Sequence, residues 1–233
     1  CAPAPGPCAQ QTVTVTACSC LVPDVATICA GNVQQISLSA AALAPTTQTF
    51  SSGTINLAIP DNSPAGITTA AIAVPSGVTI NSATNLKVSI TATHSWVGDL
   101  IFRLTSPCGT TFLFDRPGVP AATFGNSMDL NGTYTFDVTA ANIIPETSTG
   151  TVVAPGSYRP SDAAGVAHNW AGLTFPCNGT GNWTLTVSDN GAGDTGSLAS
   201  WSISVVNTAT AVFSPVTGLF TDAGAQTPYT GTA

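Results

Sequence analysis

Small polar residues alternate with branched or aromatic ones at a period of two, in short runs spread along the chain. Leu86–Thr91, Leu100–Leu104, Trp183–Val187 and Trp201–Val205 each read apolar–polar–apolar, the pattern of a strand with one face on a core and the other in water. Thr12-Val13-Thr14-Val15-Thr16 alternates in the same way. Breaks come at Pro60-Asp61-Asn62, Ser106-Pro107-Cys108-Gly109, Arg116-Pro117-Gly118 and Asp189-Asn190-Gly191, all residue types that tight turns demand. The period of an amphipathic helix is almost absent. Many short strands with such turns predict an all-β protein, an antiparallel sandwich or jelly roll.

Texture divides the chain into three parts. Residues 1–53 are rich in Ala, Thr, Val and Cys, and their first aromatic residue is Phe50. Residues 54–206 hold all four Trp and most of the Asp, and are expected to form the principal domain. Residues 207–233 are Thr- and Ala-rich around one phrase, Phe213–Asp222. Each flank is too small to bury a core alone. The two are expected either to build a second sandwich together or to pair with neighbouring chains.

Composition then removes several functions. Charged residues are 6% of the chain, against about 25% in an average soluble protein, while 43% hydrophobic residues supply a core. Disorder needs the opposite balance. With a net charge of -7 and four Lys and Arg in all, the chain lacks the cations that displace counterions from phosphates, so nucleic acid is excluded as a partner. A polybasic membrane anchor is excluded on the same ground. No apolar run reaches the roughly 18 residues of a spanning helix. A surface of Thr, Ser, Asn, Gln and Gly suits secreted β-proteins. The seven cysteines stand at 1, 8, 18, 20, 29, 108 and 177 without paired CxxC spacing, which favours disulfides in an oxidising, extracellular compartment over zinc.

Two phrases are specific. His94-Ser95-Trp96-Val97-Gly98-Asp99-Leu100 leads through a strand into Leu104-Thr105-Ser106-Pro107-Cys108-Gly109-Thr110. Gly181–Asp189 is followed by Gly193-Asp194-Thr195-Gly196-Ser197-Leu198 and Trp201-Ser202-Ile203. With Ile59-Pro60-Asp61 ahead of them, this order resembles the P domain (P/Homo B domain) that follows the catalytic domain of kexin- and furin-like proprotein convertases, and that bacterial secreted proteases and surface proteins also carry. The resemblance implies a jelly-roll β-sandwich. Ile28-Cys29-Ala30-Gly31-Asn32-Val33 and Phe213–Asp222 resemble pieces of Ig-like repeats in large bacterial surface adhesins, which implies a P domain set between two parts of an Ig-like module.

Catalysis is not expected. A Ser-His-Asp triad needs a base beside its nucleophile, and of the two histidines His94 is expected to be structural beside Trp96, with His168 in a loop. No GxSxG or HExxH occurs, and a glycosidase's carboxylate pair would have to be drawn from turn Asp residues and the single Glu146. Calcium suits those Asp residues better, because it takes 6 to 8 oxygen ligands from carboxylates and loop carbonyls. Asp189 and Asp194 in a Gly-rich loop are the first candidates, and Asp99, Asp115, Asp129 and Asp137 near strand ends are expected to join the same or a second site. The resemblance adds weight here, since bacterial P domains often hold structural calcium. The alternative for each Asp is a turn cap that bonds backbone N–H groups.

Within the P-like segment Cys108 and Cys177 are the only cysteines, each in a strand-end turn, and a bridge between them is expected. The chain-entropy estimate for such a staple is about 4 kcal/mol. Cys8–Cys18 and Cys20–Cys29 can pair in the N-terminal part, leaving Cys1 as a segment boundary or the acylated cysteine of a bacterial lipoprotein. The sequons at Asn131, Asn178 and Asn182 are read as turn residues. Trp96, Trp183 and Trp201 fall in motif strands and are expected in the core, whereas Trp170 is the candidate for an exposed ligand platform.

Three functions compete. The first is a non-enzymatic structural or adhesive module of an extracellular bacterial filament or repetitive surface adhesin, its partners being identical subunits or neighbouring repeats. There Thr12, Val13, Thr14, Val15 and Thr16 would be the strand exchanged between copies. The second is an accessory P domain of a secreted protease. The third is a carbohydrate-binding module that takes cell-surface glycans at Trp170.

Overall fold

The structure, a computed structural model, describes residues 45–207, the backbone of short strands at 9–10, 14–15, 27–28 and 213–214, and positions 220, 226–228 and 230. The chain divides into two compact units, Thr47–Asn207 and a second that joins Cys1–Thr46 with Thr208–Ala233. Strands are numbered in chain order.

In the joined unit β1 (Ala9–Gln10) pairs antiparallel with β3 (Thr27–Ile28), and β2 (Thr14–Val15) with β17 (Phe213–Ser214). Val15 lies opposite Phe213 and Thr14 opposite Ser214. This much of the expected exchange strand is therefore paired within its own chain, because the two termini supply matching edges. Thr12, Val13 and Thr16 lie outside the described residues, as do Cys1, Cys8, Cys18, Cys20 and Cys29.

The unit Thr47–Asn207 is a β-sandwich. One sheet runs in the order β11 (Gly109–Asp115), β10 (Leu100–Ser106), β15 (Gly181–Asp189), β6 (Ser63–Thr68), with β7 (Ile72–Val74) also pairing with β15. The other runs β13 (Gly156–Tyr158), β12 (Leu130–Asp137), β9 (Leu86–His94), β16 (Gly196–Asn207), β4 (Thr46–Ser51), with β5 (Leu57–Ile59) also along β16. A small ribbon pairs β8 (Thr79–Ile80) with β14 (Cys177–Asn178).

Alternation does the sorting. On β9, Leu86, Val88, Ile90 and Ala92 face the core, while Ser89 and Thr91 turn outward and bond Thr135 and Thr133 of β12 across the strand gap, both at 2.9 Å. A one-residue slip would turn this apolar set into water, so the register is fixed by burial. Phe114 of β11 stacks on Phe136 of β12 with ring centroids 5.8 Å apart, which joins the two sheets through one core. The alternating motif strands of the sequence thus become β9, β10, β15 and β16, the central strands of both sheets.

Two further features follow from topology. Cys108 and Cys177 are joined, Cα–Cα 5.7 Å, tying the β10–β11 turn to β14. The four basic residues are also distinctively placed. Lys87 and Arg103 lie on β9 and β10, each a strand flanked by two neighbours, and Arg116 and Arg159 each precede a proline.

Candidate functional site

The two P-like phrases meet at one end of the sandwich. Asp189 closes β15 opposite Leu100 at the start of β10, while His94 closes β9 opposite Leu130 and Gly196. His94 Nε2 lies 3.1 Å from Asp189 Oδ2, and neither side chain is exposed to solvent. A carboxylate only accepts, so Nε2 carries the proton. Nδ1 is then free to accept the Trp96 backbone N–H at 3.1 Å. Asp189 Oδ1 takes the Gly191 N–H at 3.0 Å. Both ends of the imidazole and both carboxylate oxygens are thus engaged inside the protein. The pair locks two sheets and two loops together, and a substrate has no access to it.

Asp99 closes a 3-10 turn at Val97–Asp99 and is buried beside this pair. Its backbone oxygen accepts the Asn190 N–H at 2.8 Å, and Arg116 Nη2 stands 3.8 Å from its carboxylate. Burial raises the Asp99 pKa, the Asp189 and Asp194 charges add to the rise, and Arg116 partly opposes it. Gly191 passes so close to the Asp99 carboxylate that a Cβ there would overlap it. Asp194 Oδ1 accepts the Ser95 hydroxyl at 2.8 Å, and Asp61 Oδ1 accepts the Gly193 N–H at 3.0 Å. This end of the unit is consequently rich in acids and short of positive charge.

Loop 116–126 completes the end. Asn126 is buried; its Nδ2 donates to the Pro145 oxygen and its Oδ1 accepts the Met128 N–H and the Ser148 hydroxyl. Glu146 Oε2 accepts the Gly118 N–H at 2.6 Å. Burial raises the Glu146 pKa, that bond lowers it, and the charge of Asp162 raises it further.

The six expected calcium ligands therefore separate. Asp99, Asp189 and Asp194 come within electrostatic reach of one another. Asp115, at the end of β11, is raised by burial, lowered by Arg116, the cation it shares with Asp99, and raised again by Asp162. Asp129 is fixed by backbone bonds to Thr151 and Val153. For Asp137 the same-site alternative is corrected: it pairs with Lys87 seven positions along from Leu130 and His94, about 23 Å away at strand rise, and bonds Lys87 Nζ at 2.7 Å. The strand direction of β12 puts it at the opposite end of the sheet. Among the described residues, no three of His, Cys, Asp and Glu are grouped closely enough to hold a metal unaided.

Trp170 is the second correction. It is fully buried, its Nε1 donates to the Ala83 oxygen at 3.2 Å, and its backbone adopts φ 57°. A loop position reached by a left-handed turn drives the ring inward, so it offers no platform. Trp183 and Trp201 are buried as expected, while Trp96 is half-buried with its Nε1 on the Phe124 oxygen at 2.6 Å. His168 Nδ1 accepts the Ala171 N–H, and burial lowers its pKa. Asn178 Oδ1 caps a turn by accepting the Thr180 N–H. The sequence read Arg116 only as part of a turn and Glu146 only as a discarded glycosidase acid, and Asn126 carried no signal. Scarcity was the available signal for two of them, since Arg116 is one of four basic residues and Glu146 the single Glu.

The unit Thr47–Asn207 is thus a β-sandwich whose motif loops close over a buried His–Asp pair. Residues 122–205 match the family model of the proprotein convertase P-domain, so the P-domain resemblance is shown over that stretch. No curated protein matches the chain. Among solved structures, the chain is similar to the serine protease of Aeromonas sobria in complex with the chaperone (ORF2), at 18% identity and TM-score 0.35 over 71% of this chain and 27% of that one. The same protease solved without the chaperone gives 18% identity and TM-score 0.34, over 70% and 27%. The chain thus spans about a quarter of those structures' length. Among the described residues no helix is long and apolar enough to cross a membrane.

Proposed function

We propose that this chain is the accessory P domain of a secreted protease, a folded β-module that supports a catalytic domain without taking part in its chemistry. The observation that carries this reading is the family match over residues 122–205. The site's geometry supports it, because His94 and Asp189 are sealed from solvent and serve to lock strand ends. The Cys108–Cys177 bridge supports an oxidising, extracellular setting. This reading takes precedence over the filament or adhesin module first expected, and burial of Trp170 removes the side chain on which glycan binding was based. Two measurements test it. The parent gene should encode a protease domain beside this one, and deleting residues 45–207 should lower that protease's thermal midpoint. A parent without any protease, or a protease indifferent to the deletion, overturns the proposal.

Calcium belongs to the same proposal, narrowed to one place. Asp189 is engaged by His94 and Gly191, so an ion at this end would be held by Asp99 and Asp194 with carbonyls of the 190–194 loop. Its role would be to neutralise an acidic end and join loops. Added calcium should raise the melting temperature of wild-type protein relative to EDTA and leave a D99N/D194N variant unmoved. Equal melting of wild type in calcium and EDTA would remove the ion from this end.

A further inference from the structure

Glu146, the single Glu of the chain, stands where three segments meet. Its Oε2 accepts the Gly118 N–H at 2.6 Å, and a Cβ on Gly118 would stand 2.6 Å from the Glu146 backbone oxygen, so loop 116–126 lies directly on this residue. From another side comes the hairpin 161–167, closed by a bridge between Ser161 and Ala167. A Cβ on Gly165 would stand 2.6 Å from Glu146 Cδ and 2.9 Å from its Oε2. One half-buried carboxyl group therefore sits between a loop and the tip of a hairpin.

The hairpin is anchored at its base. Ser161 N–H bonds the Leu113 oxygen of β11 at 3.1 Å, and Arg159 N–H bonds the Asn142 oxygen at 2.6 Å. The bonds of the tip are internal: Asp162 N–H to the Val166 oxygen, Gly165 N–H to the Asp162 oxygen, and the Ala164 and Val166 N–H groups to Asp162 Oδ1. The tip can thus lift about its base without breaking any of them. Charges crowd the joint. Asp162 lies within electrostatic reach of Glu146, of Asp115 at the end of β11 and of His168, with Arg116 beside Asp115 and Arg159 near His168. The connection that carries Glu146, residues 138–155, has no other titratable side chain.

We propose that the 161–167 hairpin is an acid-seated strap: Glu146 without its charge lets the tip rest against it, and the ionised carboxylate drives the tip outward. Ionised, Glu146 meets the Asp162 charge at a half-buried place. Protonated, it still offers an oxygen to Gly118, and the repulsion is gone. Burial raises the Glu146 pKa, the Gly118 bond lowers it and the Asp162 charge raises it again. A raised value means that the seated form holds its proton more tightly than the lifted one. Seating is therefore fully favoured below the ordinary glutamate value and is lost as pH rises through the raised one. Asp115, also raised, acts in the same sense. His168 acts in the opposite sense, because burial lowers its pKa. The inference is independent of the accessory-domain reading, since a lone module would show it as well.

NMR of the full chain tests it. With one Glu in the sequence, isotope-labelled glutamate gives a single side-chain carboxyl resonance. Its midpoint is expected above the ordinary value of about 4.3, and should fall in D162N, whose amide oxygen can still accept the Ala164 and Val166 N–H groups. Hydrogen exchange of the Ala164, Gly165 and Val166 amides, corrected for intrinsic rate and referenced to β9, reads the lifting. Between about pH 4 and pH 7 their protection in wild type should fall roughly three- to tenfold, the ratio of the carboxyl's proton affinities in the seated and lifted states. In E146Q, which keeps an acceptor for Gly118, protection should stay high and nearly level. A Glu146 midpoint at or below the ordinary value overturns the proposal, and that titration needs no variant to fold. Wild-type tip protection unchanged by pH overturns it as well. An E146Q variant that keeps the wild-type pH dependence does so too, and assigns the dependence to Asp115 or His168.

Discussion

Adding one methyl group at Gly191 should destabilise the motif end of the sandwich by a predictable amount. A Cβ at this position overlaps the Asp99 carboxyl group. That carboxyl cannot swing away freely, because Asp99 is 4% exposed and its backbone oxygen holds the Asn190 N–H and side-chain amide. Overpacking of a tight site typically costs about 1–3 kcal/mol. At roughly 2–4 °C per kcal/mol for a chain of this size, G191A should melt about 2–12 °C below wild type. Gly156 supplies the control. A Cβ there meets nothing within 4 Å, so G156A should be neutral or gain about 0.4–1 kcal/mol from a stiffer unfolded chain. Urea unfolding and thermal melts of both variants give the comparison. The cause is tested by repeating G191A in a D99A background, where the obstacle is gone and the penalty should largely disappear as a coupling between neighbours. A G191A variant as stable as G156A, or a penalty unchanged by D99A, would refute the reasoning.

Other expectations follow from the same geometry. Replacing Cys108 and Cys177 together by Ser should cost about 2–5 kcal/mol in urea unfolding under oxidising conditions. D189N should invert the imidazole: an amide NH₂ facing Nε2 makes that nitrogen the acceptor, so Nδ1 gains the proton and donates to the Trp96 oxygen, now 3.0 Å away. Nitrogen NMR of His94 reads the tautomer directly, and D189A should be worse than D189N, by roughly 3–5 kcal/mol relative to wild type. Asp137 sets a pH dependence. Burial raises its pKa, but Lys87 and Thr139 bonds outweigh this and leave it lowered. Its stabilising contribution is therefore present above the unfolded value and is lost as pH falls through the folded one. D137N should reduce stability at neutral pH and converge on wild type in strong acid; parallel melts from neutral to acid pH would exclude the pair.

Legibility followed the range of the interaction. Leu86–Thr91, Leu100–Leu104, Trp183–Val187 and Trp201–Val205 were readable because alternation is local, and they became β9, β10, β15 and β16. The meeting of His94 and Asp189 was not readable, since they are 95 residues apart and share no spacing rule. Asp137 looked equivalent to Asp99 because both stand at a strand boundary, one closing β12 and the other just ahead of β10, yet only topology decides which end of the sheet a boundary occupies. Trp170 failed for a related reason. Its neighbours Ala167-His168-Asn169 read as loop, and a loop residue folded inward by a left-handed turn leaves no periodic trace.

The positions of the four basic side chains have a consequence in proteolysis. An endopeptidase that cuts after Lys or Arg must draw several residues of extended chain into its cleft. Lys87 and Arg103 sit on β9 and β10, whose backbone groups are taken by neighbours on both sides, and the bonds after Arg116 and Arg159 lead into Pro117 and Pro160, which such enzymes cleave poorly. In the folded unit no Lys or Arg offers a ready scissile bond. The module can therefore persist beside a peptidase of that specificity for as long as its sheets stay closed, and digestion by trypsin becomes a direct gauge of how often they open.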